Sequence, residues 1–153
     1  LDYQIPKNFD LKYTDKDGTK KMPIVVHRVI YGSLERFIGI LIEHFAGAFP
    51  LWISPVQLVI APIADRHLEY AQEVIKAAKE AGIRVELDDS AQRLQAKIRN
   101  HELEKIPYIV IIGDKEIETQ TVSVRSRATK EIGLMKVGEF MEKLVREIEN
   151  KGK

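Results

Sequence analysis

Three groups of side chains in this sequence are of types that do chemistry. The first is Arg36, three residues after Ser33 in the run "HRVIYGSLERFIGILIEHF", residues 27–45. Ser33 reads as the N-cap of a helix, so Arg36 falls in the first turn, beside the positive end of the helix dipole. An exposed cation there costs about 0.3–1 kcal/mol, and Glu or Gln would be the natural capping choice. Two readings fit. The guanidinium turns into solvent or pairs with Glu35 or Glu43, or the helix terminus and the guanidinium converge on one anion, most often a phosphate. A full glycine-rich phosphate loop is absent from the chain. The second group is His27 alone. A single strand histidine is ordinarily a hydrogen-bonded structural residue, and no Cys, His or carboxylate stands near it at ligand spacing. Any metal it bound would need ligands from elsewhere.

The third group is Ser123, Arg125 and Arg127 on one side of the alternating stretch "TVSVRSR". Two guanidiniums two residues apart in a strand point the same way and suit a phosphate or the edge of a base. A charged sheet face balanced by Glu116 and Glu118 fits as well. Lys97, Arg99 and Lys105 would extend a basic rim. His44, His67 and His101 have polar helical neighbours and read as surface residues, and no Ser-His-Asp or Cys-His arrangement is present.

These residues need elements to hold them. Residues 10–30 predict a β-hairpin turning at Asp17-Gly18, with "MPIVVHRVI" as its second strand. Val25, His27 and Val29 would share one face. Leu34, Phe37, Ile38, Leu41, Ile42 and Phe45 then recur at helical spacing, and Gly47 stops the helix. "AFPLWISPVQ", residues 48–57, carries two prolines and no helical period, and reads as a linker at a domain boundary. Beyond it the pattern becomes βαβαβ. "VQLVIAPI" and "YIVII" are continuous apolar runs, as in strands buried on both faces, and "IRVEL" lies between them. The first intervening helix would start at Asp65 and bury Leu68, Ala71, Ile75 and Ala78. The second, residues 91–105, would turn Leu94 and Ile98 inward. Gly113-Asp114-Lys115 makes a turn, "TVSVRSR" forms an antiparallel edge, and a last amphipathic helix runs from about Val137. The fold class is therefore α/β: a mixed, mainly parallel sheet flanked by helices, preceded by an antiparallel hairpin-strand-helix piece.

Composition removes several classes. With 24 Lys and Arg against 23 Asp and Glu, net charge selects no partner, although reading of single-stranded RNA needs only stacking and a local basic face. The chain has no cysteine, which excludes disulfides and cysteine-ligated metals within it and fits a cytoplasmic protein. No apolar run approaches the ~18 residues of a membrane span, and "LDYQIPKNFD" is no signal peptide. Leu1 opens without a methionine and as if within a strand, so the chain is expected to be the C-terminal part of something longer.

The run "PIVVHRVIYGSLERFIGILIEHFAGAFPLWISPVQ" resembles motif 3 of class II aminoacyl-tRNA synthetases and the step into their anticodon-binding domain. Prolyl, histidyl and glycyl enzymes share that architecture. His27 ahead of "GSLERFIGILIEH" and "FPLWISPVQ" is similar to the threonyl-tRNA synthetase family, and the likeness continues through "AGIRVELDD", "KIPYIVIIGDKEIE" and "TVSVRSR". The resemblance implies that residues 1–52 are the end of a catalytic domain and residues 53–153 an anticodon-binding domain. It implies a threonine–tRNA ligase that activates threonine with ATP and Mg²⁺ and esterifies it to tRNA(Thr), as a cytoplasmic homodimer, with the fragment itself inactive. Arg36 would be the motif 3 arginine on ATP, and Ser33 would line the adenylate pocket. His27 would be one ligand of a zinc ion whose other ligands lie upstream. Glu116 and Arg125 match positions that read anticodon bases. The chain departs from the family pattern at Ser90-Ala91, where many members have Arg-Asn, and at Gln95, where Gly is common. A non-catalytic RNA-binding or regulatory protein on the same domain is the alternative, for which His27 and Arg36 would be structural.

Overall fold

In the computed structural model, which describes residues 1–129 and 132–151, apolar side chains leave water extensively in one part of the chain only. Two units are present, Leu1–Ile40 and Leu41–Lys153; residues 152 and 153, the end of the expected second domain, lie outside the described residues.

In the first unit a short helix α1 (Gln4–Asn8) begins where Asp2 Oδ1 accepts from the N–H groups of Gln4 and Ile5, at 2.8 and 2.9 Å. The hairpin is present but short: β1 (Tyr13–Thr14) pairs antiparallel with β2 (Lys20–Lys21) around Gly18 at φ +77°. The strand expected over residues 22–30 does not form. Only Val25 pairs, in an isolated bridge with Asp2, and the apolar residues around it remain in water, Val29 at 69% and Ile30 at 77% exposure. A strand exists through its ladder, and among the described residues this segment has a single bridge and no ladder. Helix α2 (Leu34–His44) starts in this unit and ends in the next, with Ser33 as the expected N-cap: its Oγ accepts from Arg36 N–H at 3.2 Å. No residue of α2 is buried.

The second unit is built on a five-stranded sheet in the order β4-β3-β5-β6-β7: β3 (Leu58–Pro62), β4 (Val85–Leu87), β5 (Tyr108–Ile112), β6 (Thr121–Ser126) and β7 (Ile132–Lys136). β3 lies parallel to β4 and β5, while β6 runs antiparallel to both β5 and β7. This is the expected α/β class, a mixed sheet flanked by helices. β7 went unforeseen, so "TVSVRSR" is an inner strand rather than the edge. The β3–β4 and β4–β5 crossovers run in opposite directions across the sheet, and their right-handedness puts α3 (Leu68–Glu80) and α4 (Leu94–Leu103) on opposite faces. α3 and α6 (Val137–Glu149) close one face. There Leu58, Ile60, Val110, Ile112, Val122 and Val124 pack with Ala71, Val74, Phe140 and Leu144. α4 packs on β3 from the other side, and α5 (Asp114–Thr119), a helix where only a turn was expected, packs on β5 and β6.

The stretch 48–57, which reads as a linker, is packed into this unit. Leu51 opens a 3₁₀ turn and joins the core, and buried Gln57 donates to Leu51 O at 2.8 Å. The guanidinium of Arg84 gathers the carbonyls of Trp52, Ser54 and Pro55. Prolines without a period disguised a segment held by backbone–side chain bonds. No helix among the described residues is long and apolar enough to cross a membrane.

Candidate functional site

The face of β6 that turns away from the core carries Ser123 and Arg125, and the structure adds Glu116 from α5 to that line. Ser123 Oγ donates to Glu116 Oε1 at 2.7 Å, and Gly113 N–H donates to Glu116 Oε2 at 2.8 Å. Partial burial would raise this carboxyl, but the two hydrogen bonds outweigh it and hold Glu116 below the ordinary carboxylate value. The backbone at Gly113 runs close to two side chains. A Cβ there would stand 2.8 Å from Ile63 Cδ1 and 3.1 Å from Glu116 Oε2. The N-terminus of α5 is tied to the end of β3 by Asp114, which accepts from Arg66 Nη2 at 2.7 Å and meets His67 Nε2 at 2.9 Å. Arg66 first and His67 second hold the Asp114 carboxyl well below its usual range.

Arg125 is not balanced by Glu116 or Glu118. Its Nε and Nη2 both donate to Glu102 Oε1 of α4, at 2.9 and 2.7 Å. Spacing along β6 gave no sign of this partner, because the helix reaches the strand only through the crossover. Arg127 does not join Arg125 on one anion: its guanidinium donates to the carbonyls of Ala48, Phe49 and Lys105. The expected basic rim also shrinks. Arg99 is exposed, but Lys97 is the buried residue of α4 at 4% exposure, and its Nζ donates to Asp88 O at 2.8 Å and Pro62 O at 3.3 Å. Leu94 and Ile98, expected inward, are only partly covered. Of two histidines expected at the surface, one is buried and the other is largely covered. His67 is 1% exposed, its Nδ1 accepting from Ala64 N–H, and it rather than Asp65 holds the N-cap position of α3, without a side-chain capping bond; His101 bridges Asp88 and Glu104. Asp88 stays below its ordinary value because bonds from Ser90 and His101 outweigh its burial. His44 is exposed, as expected.

Glu102 and Arg125 stand between two depressions on this face. One, of about 150 Å³, includes Ile106, Ile109 and Ser126; the other, of about 630 Å³, runs along α4 past Ile98 and Arg99. Together they form a groove with apolar walls, a helix rim and hydrogen-bonding groups of both kinds.

In the first unit the Arg36 guanidinium is exposed and has no hydrogen bond or ion pair among the described residues. It does not pair with Glu35, whose carboxylate accepts from Ser33 Oγ at 2.8 Å. His27 is exposed, and its Nε2 lies 2.8 Å from Asp2 Oδ2. The bonds from Ile5 N–H first and His27 second lower the Asp2 carboxyl. These two side chains are too few for a tetrahedral zinc site, and among the described residues no group of three or more His, Cys, Asp or Glu is placed to hold a metal. The residues present do not make a metal centre by themselves.

The anticodon-binding domain model matches residues 57–147, the span that holds the five-stranded sheet and this groove. The chain belongs to that family. Over 151 residues it is 51% identical to the threonine–tRNA ligase of Carboxydothermus hydrogenoformans and 52% identical to that of Clostridioides difficile. Each match covers 99% of this chain and 24% of the relative, so the chain spans about a quarter of the length of the curated relatives it matches. Among solved structures it resembles the RNA binding domain of threonyl-tRNA synthetase from Cryptosporidium parvum Iowa II. The TM-score is 0.71 and the identity 32%, over 95% of this chain and 37% of that one. A prolyl-tRNA synthetase from the same organism shares the fold at 23% identity and a TM-score of 0.66, over 95% of this chain and 32% of that one.

Proposed function

We propose that this chain is the C-terminal portion of a threonine–tRNA ligase and that its second unit reads the anticodon loop of tRNA(Thr). The observation that carries the reading is the groove between α4 and β6, which lies inside the matched span and has Arg125 in its wall, with Ser123 and its partner Glu116 further along the same face of β6. Single-stranded loops are read by hydrogen bonds to exposed base edges, for which carboxylates accept and guanidiniums donate. Residues 53–153 form the anticodon-binding domain in this reading, and residues 1–52 are the end of a class II catalytic domain bearing motif 3. The two units divide inside α2, ahead of that boundary.

In the longer cytoplasmic enzyme, a homodimer, threonine is activated with ATP and Mg²⁺ and then esterified to tRNA. Arg36 binds the ATP polyphosphate together with the N-terminus of α2, Ser33 lines the adenylate pocket, and His27 supplies one zinc ligand. The unpaired, exposed guanidinium at a helix start supports the role of Arg36, since its local cost of about 0.3–1 kcal/mol is small beside a phosphate contact. Fluorescence titration of the chain with a threonine anticodon stem-loop and with an unrelated one tests the RNA reading. Tighter, salt-sensitive binding of the first is expected, and equal affinity would overturn it. In the longer enzyme, Arg36→Ala is expected to depress ATP–pyrophosphate exchange, and wild-type exchange would refute its role. Zinc content after His27→Ala, expected to fall, tests the ligand assignment.

A further inference from the structure

We infer that Glu102 and Arg125 act as one neutral unit that reads the Watson–Crick edge of an unpaired base, with Glu102 determining specificity by keeping Arg125 from serving as a phosphate clamp. This rests on the proposed reading of RNA by the α4–β6 groove. Both bonds from Arg125 converge on Glu102 Oε1, so Glu102 Oε2 and Arg125 Nη1 have no partner among the described residues. An acceptor and a donor are thus left side by side on a pair whose charges cancel. The Arg125 side chain is 24% exposed and that of Glu102 42%, so both tips reach solvent at the groove.

A phosphate presents acceptors only. It would satisfy the guanidinium but meet the Glu102 carboxylate as a like charge. A base edge presents an acceptor beside a donor and satisfies both groups at once. The adjoining depression of about 150 Å³ is below the ~300 Å³ of pockets for drug-sized ligands and has Ile106 and Ile109 in its wall, which suits one planar ring. Neighbouring nucleotides have room in the larger depression along α4, where Arg99 is an exposed cation without a carboxylate partner among the described residues and supplies the phosphate contact instead.

Charge and discrimination should therefore separate in the full chain, titrated with a threonine anticodon stem-loop and an unrelated stem-loop over a range of salt. Replacing the pair together, Arg125→Ala with Glu102→Ala, is expected to reduce discrimination roughly 5- to 150-fold while leaving the slope of log affinity against log salt unchanged. Glu102→Gln releases the cation: the slope is expected to steepen by about 0.7, affinity for the unrelated stem-loop to rise, and discrimination to fall. Glu118→Gln changes net charge equally without touching Arg125 and is expected to leave discrimination intact. Arg125→Lys keeps the charge without the fork and is expected to lose discrimination at constant slope. Unchanged slope and discrimination in Glu102→Gln would overturn the inference, as would a double variant whose slope flattens while discrimination survives. Equal wild-type affinity for the two stem-loops would instead overturn the reading of function on which the inference stands.

Discussion

The two units spend similar sequence patterns in opposite ways. In Leu41–Lys153 the apolar positions of β3, β5, α3 and α6 converge on one core, with Leu58, Ile60, Phe140 and Leu144 fully out of water. In Leu1–Ile40, patterns of equal regularity bury Pro6 alone among the described residues. Val25, His27 and Val29 alternate as well as any strand of the large sheet, and α2 is as amphipathic as α3, yet neither has a covering layer within its unit. Periodicity states which face of an element is apolar, not whether anything packs against it. The side chains proposed for ATP and zinc therefore sit on the sparsely packed unit, and those proposed for RNA on the well-packed one.

The largest effect should appear in amide hydrogen exchange. Amides of β3 and β5 exchange only by opening the core, so protection upward of ~10³-fold over residues 22–33 is expected. Comparable protection in both would erase the contrast. Next comes truncation measured by urea unfolding. Leu144→Ala is expected to cost about 2–5 kcal/mol, whereas Leu34→Ala, in the apolar but exposed stripe of α2, should stay within ~0.5 kcal/mol. A smaller contrast lies within α4. Lys97→Met leaves the Asp88 and Pro62 carbonyls without their buried donor and is expected to cost about 1–3 kcal/mol, against almost nothing for Arg99→Met.

The smallest effect is electrostatic. Because the Asp114 carboxyl titrates below its ordinary value in the folded chain, the unfolded chain takes up its proton first as pH falls. The stability contributed by the Arg66–Asp114–His67 tie is complete above the ordinary value of 3.8 and is lost progressively below it. Asp114→Asn should therefore make stability less dependent on pH below about 4, read from thermal unfolding across pH.

Much of this was legible from residue order. Continuous apolar runs marked β3 and β5, Ser33 capped α2, Gly82 closed α3, and the last helix begins at Val137 as expected. The site was half legible. Alternation put Ser123 and Arg125 on one face, but the resemblance was needed to add Glu116, and neither revealed Glu102. Its carboxylate reaches Arg125 from a helix 23 residues away along the chain, a meeting fixed by the direction of the β4–β5 crossover rather than by any local pattern. His67, Lys97 and His101 misled for one shared reason. Polar side chains signal exposure only on average, and each of these, buried or largely covered, is satisfied by a carboxylate, a carbonyl or a backbone N–H. β7 was missed because its run "IGLM" is short, contains a glycine and leads straight into α6.

The central claim is that RNA is read by the open face of the mixed sheet in the second unit. Amide chemical shifts of the full chain, followed by NMR during titration with a threonine anticodon stem-loop, test it most directly. Shifts gathered on α4, α5 and β6, with Glu102, Glu116 and Arg125 among the most affected, are the expected result. Shifts confined to Leu1–Ile40 or to the α3–α6 face would contradict it.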